Sequence, residues 1–567
     1  MSLKALTEQR RVFTDEELVR YCIDEWDYTW EVNRFTRDRW DLNWATYNNQ
    51  FDFSEKANWQ SQNYLSKFKM AVRITRSILK QSIIKSDRFF KFVGLNDQSR
   101  DVEKDIEETL LRLLSQSDFK ERQFSRGVFL GLLENLIAFK VYPVTLTDSD
   151  APLDDNQDTK IVITPVSMYD LSIDKRGKRT IHRIKMELSD YRSLVKRGVY
   201  RRDSLDELEA NFAKEDAELK EKIRNNEVDI PRIETRKEVE LLEFWGDVDD
   251  DIGERVYENT TFTIVNRRAV ARSPIDNPYR HGKAPFVHGP IFEKYGSTYH
   301  EGFADPVIGL ARMINETLNI ILDANLAASV KAFEVNMDYV HNPSALKSGI
   351  YPGKTIQTRG VPPGGRAITE MVLGEVHDSS SLVLQFLDRE FQNNTGVNEF
   401  IGAFLGTGEK TATEVKTKSA QSMSLMQAIA EDIEDNVLEP LIEMVYSLQL
   451  QYNPEVFGQR VNNLPINVLR FKFNAKGMSK MLSGMEEMQR MFMLINMFQS
   501  TPIATKINWE SIGKEAARMA NLDASKIFTT EQVQPVTVGQ GPTGVQQAQG
   551  ESAQGNVVNL KQLLGSQ

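Results

Sequence analysis

From Leu310 to Met337 neither glycine nor proline interrupts the chain. Val307, Leu310, Ile314, Leu318 and Ile321 recur there at helical spacing. Asp305 is placed to act as N-cap and Pro306 suits the first helical position. The pattern predicts one helix of about 30 residues, roughly 45 Å long. A small, polar-flecked stretch (Ala324, Asn325, Ala327, Ala328, Ser329) permits close helix packing. From Pro343 to Gly365 the chain turns repeatedly, with room for short strands such as Lys354 to Thr358. A second helix is expected over Ser379 to Asn394. A glycine-punctuated loop follows, Gly396 to Gly408, and then a third long helix, Thr411 to Tyr452, broken near Pro440. Further helices are expected at Met478 to Met497 and Trp509 to Met519.

The first 300 residues read differently. Trp26, Trp30, Trp40, Trp44, Trp59, Tyr28, Phe35, Phe51 and Phe53 crowd the N-terminus, interleaved with Arg34, Arg37 and Arg39. Single-stranded nucleic acid could stack on such a platform. Asp24, Glu25, Asp27, Glu31, Asp38 and Asp41 dilute the positive charge, so the expectation is an aromatic helical layer on the core. Helical spacing recurs from Asn58 to Ser86, with Lys67, Lys69, Arg73, Arg76, Lys80 and Lys85 on a solvated or intersubunit face. Helices follow near Asp101 to Leu114 and Asp118 to Phe139, the second capped by Asp118 with Glu121. Strand patterns mark Ile161 to Val166, Ile181 to Leu188 and Val239 to Trp245. Ser204 to Arg224 is a charged helical excursion. The fold class is α+β, mostly helical.

Composition sets limits on function. The chain has 567 residues, enough for about three or four domain-sized units. Apolar residues make up 40% and charged residues 27%, the balance of a soluble globular protein. Lys plus Arg number 70 against 81 Asp plus Glu, a net charge of -11. Tight nucleic-acid binding over the whole surface is disfavoured, because it draws on many cationic contacts to phosphate. The single cysteine, Cys22, rules out an intramolecular disulfide and a Cys-based zinc cage, and fits a reducing compartment. The most apolar stretch, Gly127 to Phe139, is too short to span a bilayer and carries Glu134. The N-terminus lacks the apolar core of a secretory signal. The expectation is a soluble chain made inside the cell. From Gln532 the sequence is Gln/Gly-rich and is expected to be disordered, with Val557 to Leu564 folding as a short helix on a partner.

Two segments approach known chemical motifs. Gly402 to Glu414 (GAFLGTGEKTATE) resembles a phosphate-binding loop, but Glu409 stands before Lys410 where glycine is needed. A carboxylate there opposes phosphate, so the expectation is a flexible loop. Asp247, Asp249, Asp251 and Glu258 match the ligand spacing of an EF-hand loop, but the glycine is one place late, at Gly253. Strand-like flanks make a solvated hairpin turn the expectation, with weak calcium binding at those four carboxylates as the alternative. His182, His281, His288, His300, His341 and His377 show no metal-ligand spacing. No cofactor is expected, and nothing in the sequence argues for an enzyme.

The order of parts, together with particular segments, resembles the portal (head-to-tail connector) proteins of tailed bacteriophages. Tyr295 to Ala328 (YGSTYHEGFADPVIGLARMINETLNIILDANLAA) looks like the glycine-bearing approach to the first portal stem helix. Thr411 to Gln421 (TATEVKTKSAQ) is similar to the start of the helix after the portal tunnel loop. NWATYNNQF and ITRSILKQSIIKSDRFF resemble N-terminal portal segments.

The resemblance implies a wing over 1–303, stem helix one over 304–337, a clip over 338–378 and stem helix two over 379–395. It implies a tunnel loop over 396–410, a long broken wing helix over 411–460, a crown over 461–530 and a disordered tail over 531–567. It further implies a closed ring, usually a dodecamer, at one capsid vertex of the virion, assembled from chains made in the host cytoplasm. Double-stranded DNA would pass through it in packaging and ejection. Its partners would be the major capsid protein, scaffolding protein, terminase large subunit and head–tail adaptor or tail proteins, with no membrane. Gly396, Gly402, Gly406 and Gly408 would let the tunnel loop change shape. Phe400, Ile401, Phe404 and Leu405 would pack between neighbouring loops or narrow the bore, or simply belong to the wing core. Lys410, Lys416 and Lys418 would touch phosphate transiently. Tyr351 and Lys354, Thr355, Ile356, Gln357 and Thr358 would form the clip interface. The alternatives are another head–tail structural or adaptor protein and a nucleotide-driven enzyme using the Lys410 region. Nucleotide titration decides the last: a conduit binds none, whereas an enzyme of that kind binds it and loses it on Lys410→Ala.

Overall fold

A reciprocal cap starts the first helix. The Thr14 hydroxyl accepts from Glu17 N at 3.3 Å, and the Glu17 carboxylate accepts from Thr14 N at 2.8 Å. This computed structural model describes residues 12–84, 89–145, 159–224, 237–250, 252–330, 332–350, 354–371, 378–397, 425–458, 461 and 471–475. All belong to one compact unit, Met1–Ser483. The expected helices after residue 475 and the Gln/Gly-rich tail lie outside the described residues.

Helices α1 (Asp15–Val32), α2 (Arg34–Tyr47) and α3 (Lys67–Ile84) come first, then strand β1 (Phe90–Gly94) and α4 (Asp97–Gln116). A π-helical turn, Phe119–Gln123, leads into α5 (Phe124–Glu134). Next come β2 (Leu136–Thr145), β3 (Thr159–Pro165), β4 (Leu171–Ile173), β5 (Arg179–Glu187), α6 (Leu188–Lys196) and α7 (Arg202–Arg224). Then follow β6 (Glu238–Asp249), β7 (Arg255–Val265), β8 (Ala269–Asp276), β9 (Phe286–Pro290) and α8 (Ile308–Ser329). The last elements are β10 (Ala332–Val335), β11 (Ile368–Met371), α9 (Asp378–Thr395), α10 (Glu439–Tyr452) and β12 (Phe471–Ala475). The architecture is α+β. Among the described residues, no helix is long and apolar enough to cross a membrane.

The five-stranded sheet, in order β4-β5-β6-β7-β8, is covered on both faces. Side chains alternate across a strand, so neighbouring residues serve different layers. Leu242, Phe244 and Val248 of β6 pack with Leu18, Cys22 and Trp26 of α1. Val239 and Leu241 point to the other face, against Tyr191 of α6 and Leu208 of α7. A larger core gathers α3, α4, α5, the β3-β2-β9 sheet, α8, α9 and α10. The N-terminal aromatics divide: Tyr28, Phe35 and Trp59 are exposed, and others build the core. Trp26 and Trp40 are buried, Trp26 stacks on Trp30, and the Arg37 guanidinium lies 3.7 Å from the Trp30 ring centre. The cations of α3 are largely engaged too. Lys67 pairs with Asp388, Arg76 donates to Ser125 Oγ, Lys80 donates to Glu121 O, and Lys69 sits over the Tyr47 ring.

Five expectations are corrected. The helix predicted to Phe139 stops at Glu134: Asn135 takes a left-handed conformation (φ 69°) and Leu136 opens β2. The reversal folds α5 onto its own strand. A Cβ on Gly127 or Gly131 would lie 2.3 or 2.4 Å from Phe139 or Ile137, so only glycine permits that approach. Asp118 precedes a π-turn and its side chain makes no cap bond. Helix α8 begins at Ile308 and ends at Ser329, short of Met337, because Ala332–Val335 pair as a strand with Ile368–Met371. Val307, not Asp305, stands at its N-cap position. Near Pro440 the third helix widens into a π-turn, Glu434–Leu438, instead of breaking. That turn absorbs the hydrogen bond proline cannot donate.

Two largely buried carboxyl groups join separate elements. Lys140 of β2 pairs with Glu243 of β6, and His182 of β5 lies 3.7 Å from the same carboxylate. Burial alone would raise the Glu243 carboxyl, but Lys140 and His182 outweigh it and hold it well below the usual carboxylate range. Glu134 closes α5 and accepts from Met168 N (2.7 Å), Ser167 Oγ (2.9 Å) and Trp44 Nε1 (3.2 Å). Burial pushes its carboxyl up to about 7, with those three donors opposing. The folded chain therefore holds this proton up to about pH 7, while the unfolded chain releases it near pH 4.5. Stability from this group falls as pH rises through that window, by about 3 kcal/mol. Melting temperatures of the parent and Glu134→Gln between pH 4 and 8 check this. The parent loses stability relative to the variant across the window, and parallel curves would refute it.

Candidate functional site

The β10–β11 pairing decides how α8 and α9 meet. Ala332 faces Met371 and Val335 faces Ile368 in antiparallel register. The end of α8 is therefore brought to the start of α9, and the two helices form a hairpin closed by a small ribbon. Helix α8 has 22 residues, a length of about 33 Å. Its first half is seated in the body through Ala311, Ile314, Asn315 and Asn319. From Ile320 to Val330 none of its side chains is fully buried, although most are apolar. Helix α9 mirrors this: Leu387, Phe391 and Thr395 are buried, while its first half is open.

Apolar side chains stand exposed on both helices, most of them in the open halves. Met313 and Ile320, seven residues apart on α8, are 50% and 66% exposed. Leu382 and Phe386, four residues apart on α9, are 64% and 62% exposed, with Val383 beside them. Each pair shares a helix face. The hairpin thus presents two apolar patches, one on each helix.

Polar contacts anchor its base. Asn315 Oδ1 accepts from Leu65 N at 2.6 Å. Asn319 accepts from Asn63 N at 2.8 Å and donates to Asn63 O at 3.0 Å. Asp323 accepts from Ser61 N. Asn315 and Asn319 are buried. Sequence reasoning missed them. The signal was there: polar residues at i, i+4 and i+8 on one face of an apolar helix. Lys67, next along the chain, pairs with Asp388 of α9. The approach to α8 is pinned as well. Asn135 Nδ2 donates to His300 O and to Asp305 Oδ2, and Gly302 N donates to the same carboxylate oxygen at 2.9 Å. Asp305 thus closes a turn ahead of the helix.

Between β10 and β11 the chain folds on itself. His341 N donates to Gln357 O and Arg359 N to Tyr339 O, around the single bridge Val340–Thr358. Lys354 to Thr358 make no longer strand. The Lys354 ammonium donates to Ser348 Oγ at 2.8 Å and to the Ala345 and Gly349 carbonyls, closing the 3-10 turn Pro343–Ser348. Thr355, Gln357 and Thr358 are exposed, and Ile356 is half-buried. Tyr351 lies outside the described residues.

At the far end of α9, Gly396 takes φ 65° and turns the chain out of the helix. Val397 N donates to Thr395 Oγ1, and the Val397 side chain packs on the main core. Phe400, Ile401, Gly402, Phe404, Leu405, Gly406, Gly408, Lys410, Lys416 and Lys418 lie outside the described residues. The chain returns through a buried helical segment bearing Met426, Ile429, Ala430 and Ile433.

The acidic segment Asp247 to Glu258 is the β6–β7 hairpin. Arg255 contacts Asp247 and Asp249, each at 2.5 Å, and Arg179 reaches Asp249 at 2.6 Å. Two of the four spaced carboxylates therefore face guanidinium groups; Glu258 is exposed and Asp251 lies outside the described residues. Among the described residues, no group of three or more His, Cys, Asp or Glu side chains is placed to hold a metal ion.

No curated protein matches the chain significantly. A family model, that of the phage SU10 portal protein, matches residues 85–554. That span takes in both helices of the hairpin, the turns between them and the loop after α9, and the chain belongs to the phage SU10 portal protein family.

Proposed function

We propose that this chain is the repeating subunit of a ring-shaped portal, a non-enzymatic conduit for double-stranded DNA at one vertex of a phage capsid. One observation carries the reading: the α8–α9 hairpin presents apolar patches on two different helices, left exposed among the described residues. A patch on α8 meeting a patch on α9 of the next copy is a heterologous contact, and such contacts close into rings when the rotation per copy permits. The hairpin is then the stem, the turns between β10 and β11 are the clip, and the layers before residue 303 are the wing. A dodecamer is the expected ring.

Chemistry supports the role. A conduit must let DNA slide, so it should displace few counterions from the phosphates. A subunit of net charge -11 meets that need. Lys410, Lys416 and Lys418 provide isolated cations for passing contacts, and the loop from Gly396 to Gly408 lines the bore. The exposed Thr355, Gln357 and Thr358 of the clip face the terminase motor during packaging and the head–tail adaptor afterwards. The wing and the crown, 461–530, meet capsid and scaffolding proteins. The assembly resides in the virion.

Native mass spectrometry with class-averaged electron micrographs tests the proposal. It predicts a closed ring with a central hole, near ~780 kDa for twelve copies of the 64.8 kDa chain. A lasting monomer or dimer, at high concentration and with scaffolding protein present, would overturn it.

A further inference from the structure

Residues 61–67 touch both helices of the hairpin, and they do so in an unusual way. Successive residues on one face of α8 (Asn315, Asn319, Asp323) meet alternate residues of an extended segment (Leu65, Asn63, Ser61) running the opposite way. The spacings agree: four helical residues rise about 6 Å, and two extended residues span about 6.6 Å. Asn319 bonds both the N–H and the C=O of Asn63, as a neighbouring strand would. Lys67 then reaches across to Asp388 of α9. Every rung to α8 is made to backbone atoms, so it holds the segment's path without depending on its side chains. Asn63 itself is exposed.

Resting on the ring reading above, we propose that residues 61–67 are a strap that fixes the tilt of the stem hairpin against the wing. Asn315, Asn319 and Asp323 are its positioning residues, and the tilt they set selects the ring number. The tolerance is small: neighbours in a ring of twelve are rotated by about 30° and in a ring of thirteen by about 28°. A stem freed at its base leaves subunits that fold and associate but close at several numbers.

The test compares the parent with Asn315→Leu/Asn319→Leu and with Asn63→Ala, by native mass spectrometry and hydrogen exchange. The double variant should keep native circular dichroism and form rings of mixed number, spaced by one chain mass of 64.8 kDa. Its amides at 63 and 65 should exchange at least tenfold faster. Asn63→Ala should match the parent in both measurements. A double variant that forms rings of the parent's single number overturns the proposal, and so does one that leaves those amides protected. A parent that forms no ring defeats the ring reading separately. The strap is then judged on exchange alone: faster exchange through Leu382–Phe386 in the double variant supports it, and unchanged exchange there overturns it.

Discussion

An apolar surface left open in a folded subunit favours any contact that covers it, and among the described residues the α8–α9 hairpin has such a surface. Full burial of one aliphatic or aromatic side chain is worth about 1.5–3 kcal/mol. Met313, Ile320, Leu382, Val383 and Phe386 are 49–66% exposed, so covering them is worth roughly 4–9 kcal/mol before the entropy of association is subtracted. Much of the remaining structure serves to hold that surface out. The β10–β11 ribbon keeps the helices paired at the far end. The strap, the Lys67–Asp388 pair and the Asn135–Asp305 contact fix them at the near end.

The body behind the hairpin is built for stiffness. Its sheet is covered on both faces by helices, so α1 and the α6–α7 pair lock β6 from opposite sides. The Lys140–Glu243 pair ties the three-stranded sheet to the five-stranded one. A buried ion pair adds little net stability over an apolar pair, yet breaking one partner leaves a costly lone charge. It therefore specifies how the two sheets meet. Glu134 does similar work at the reversal between α5 and β2, where three donors from separate elements converge on one carboxylate.

Much of this was legible in the residues. Period-3.6 apolar spacing located α4 and α9, and β-branched alternation located β3, β5 and β6, within a few residues, whereas the helix expected over Asn58 to Ser86 spans only Lys67–Ile84. The misses have local causes. The apolar run through Phe139 gave no sign that Asn135 would turn left-handed, because the close approach of Gly127 and Gly131 to the strand is a tertiary fact. The run past Ser329 kept its helical pattern, but Phe333 and Val335 found a strand partner more than 30 residues away. Asn315 and Asn319 drew no reading from the sequence, because their backbone partners lie 250 and 256 residues earlier in the chain. The portal resemblance rested on the order of helices, turns and glycines, which the family match bears out.

The central claim is that the α8 patch of one copy packs on the α9 patch of the next. Cysteine cross-linking tests it directly, since the native Cys22 is buried. Ile320→Cys and Phe386→Cys chains would be assembled separately, mixed as monomers, and combined in one double variant. The account predicts that the double variant links into a ladder of multimers, that the mixed single variants link in pairs, and that neither single variant links to itself. Efficient self-linking of Ile320→Cys alone would mean a two-fold, isologous contact, and would contradict it.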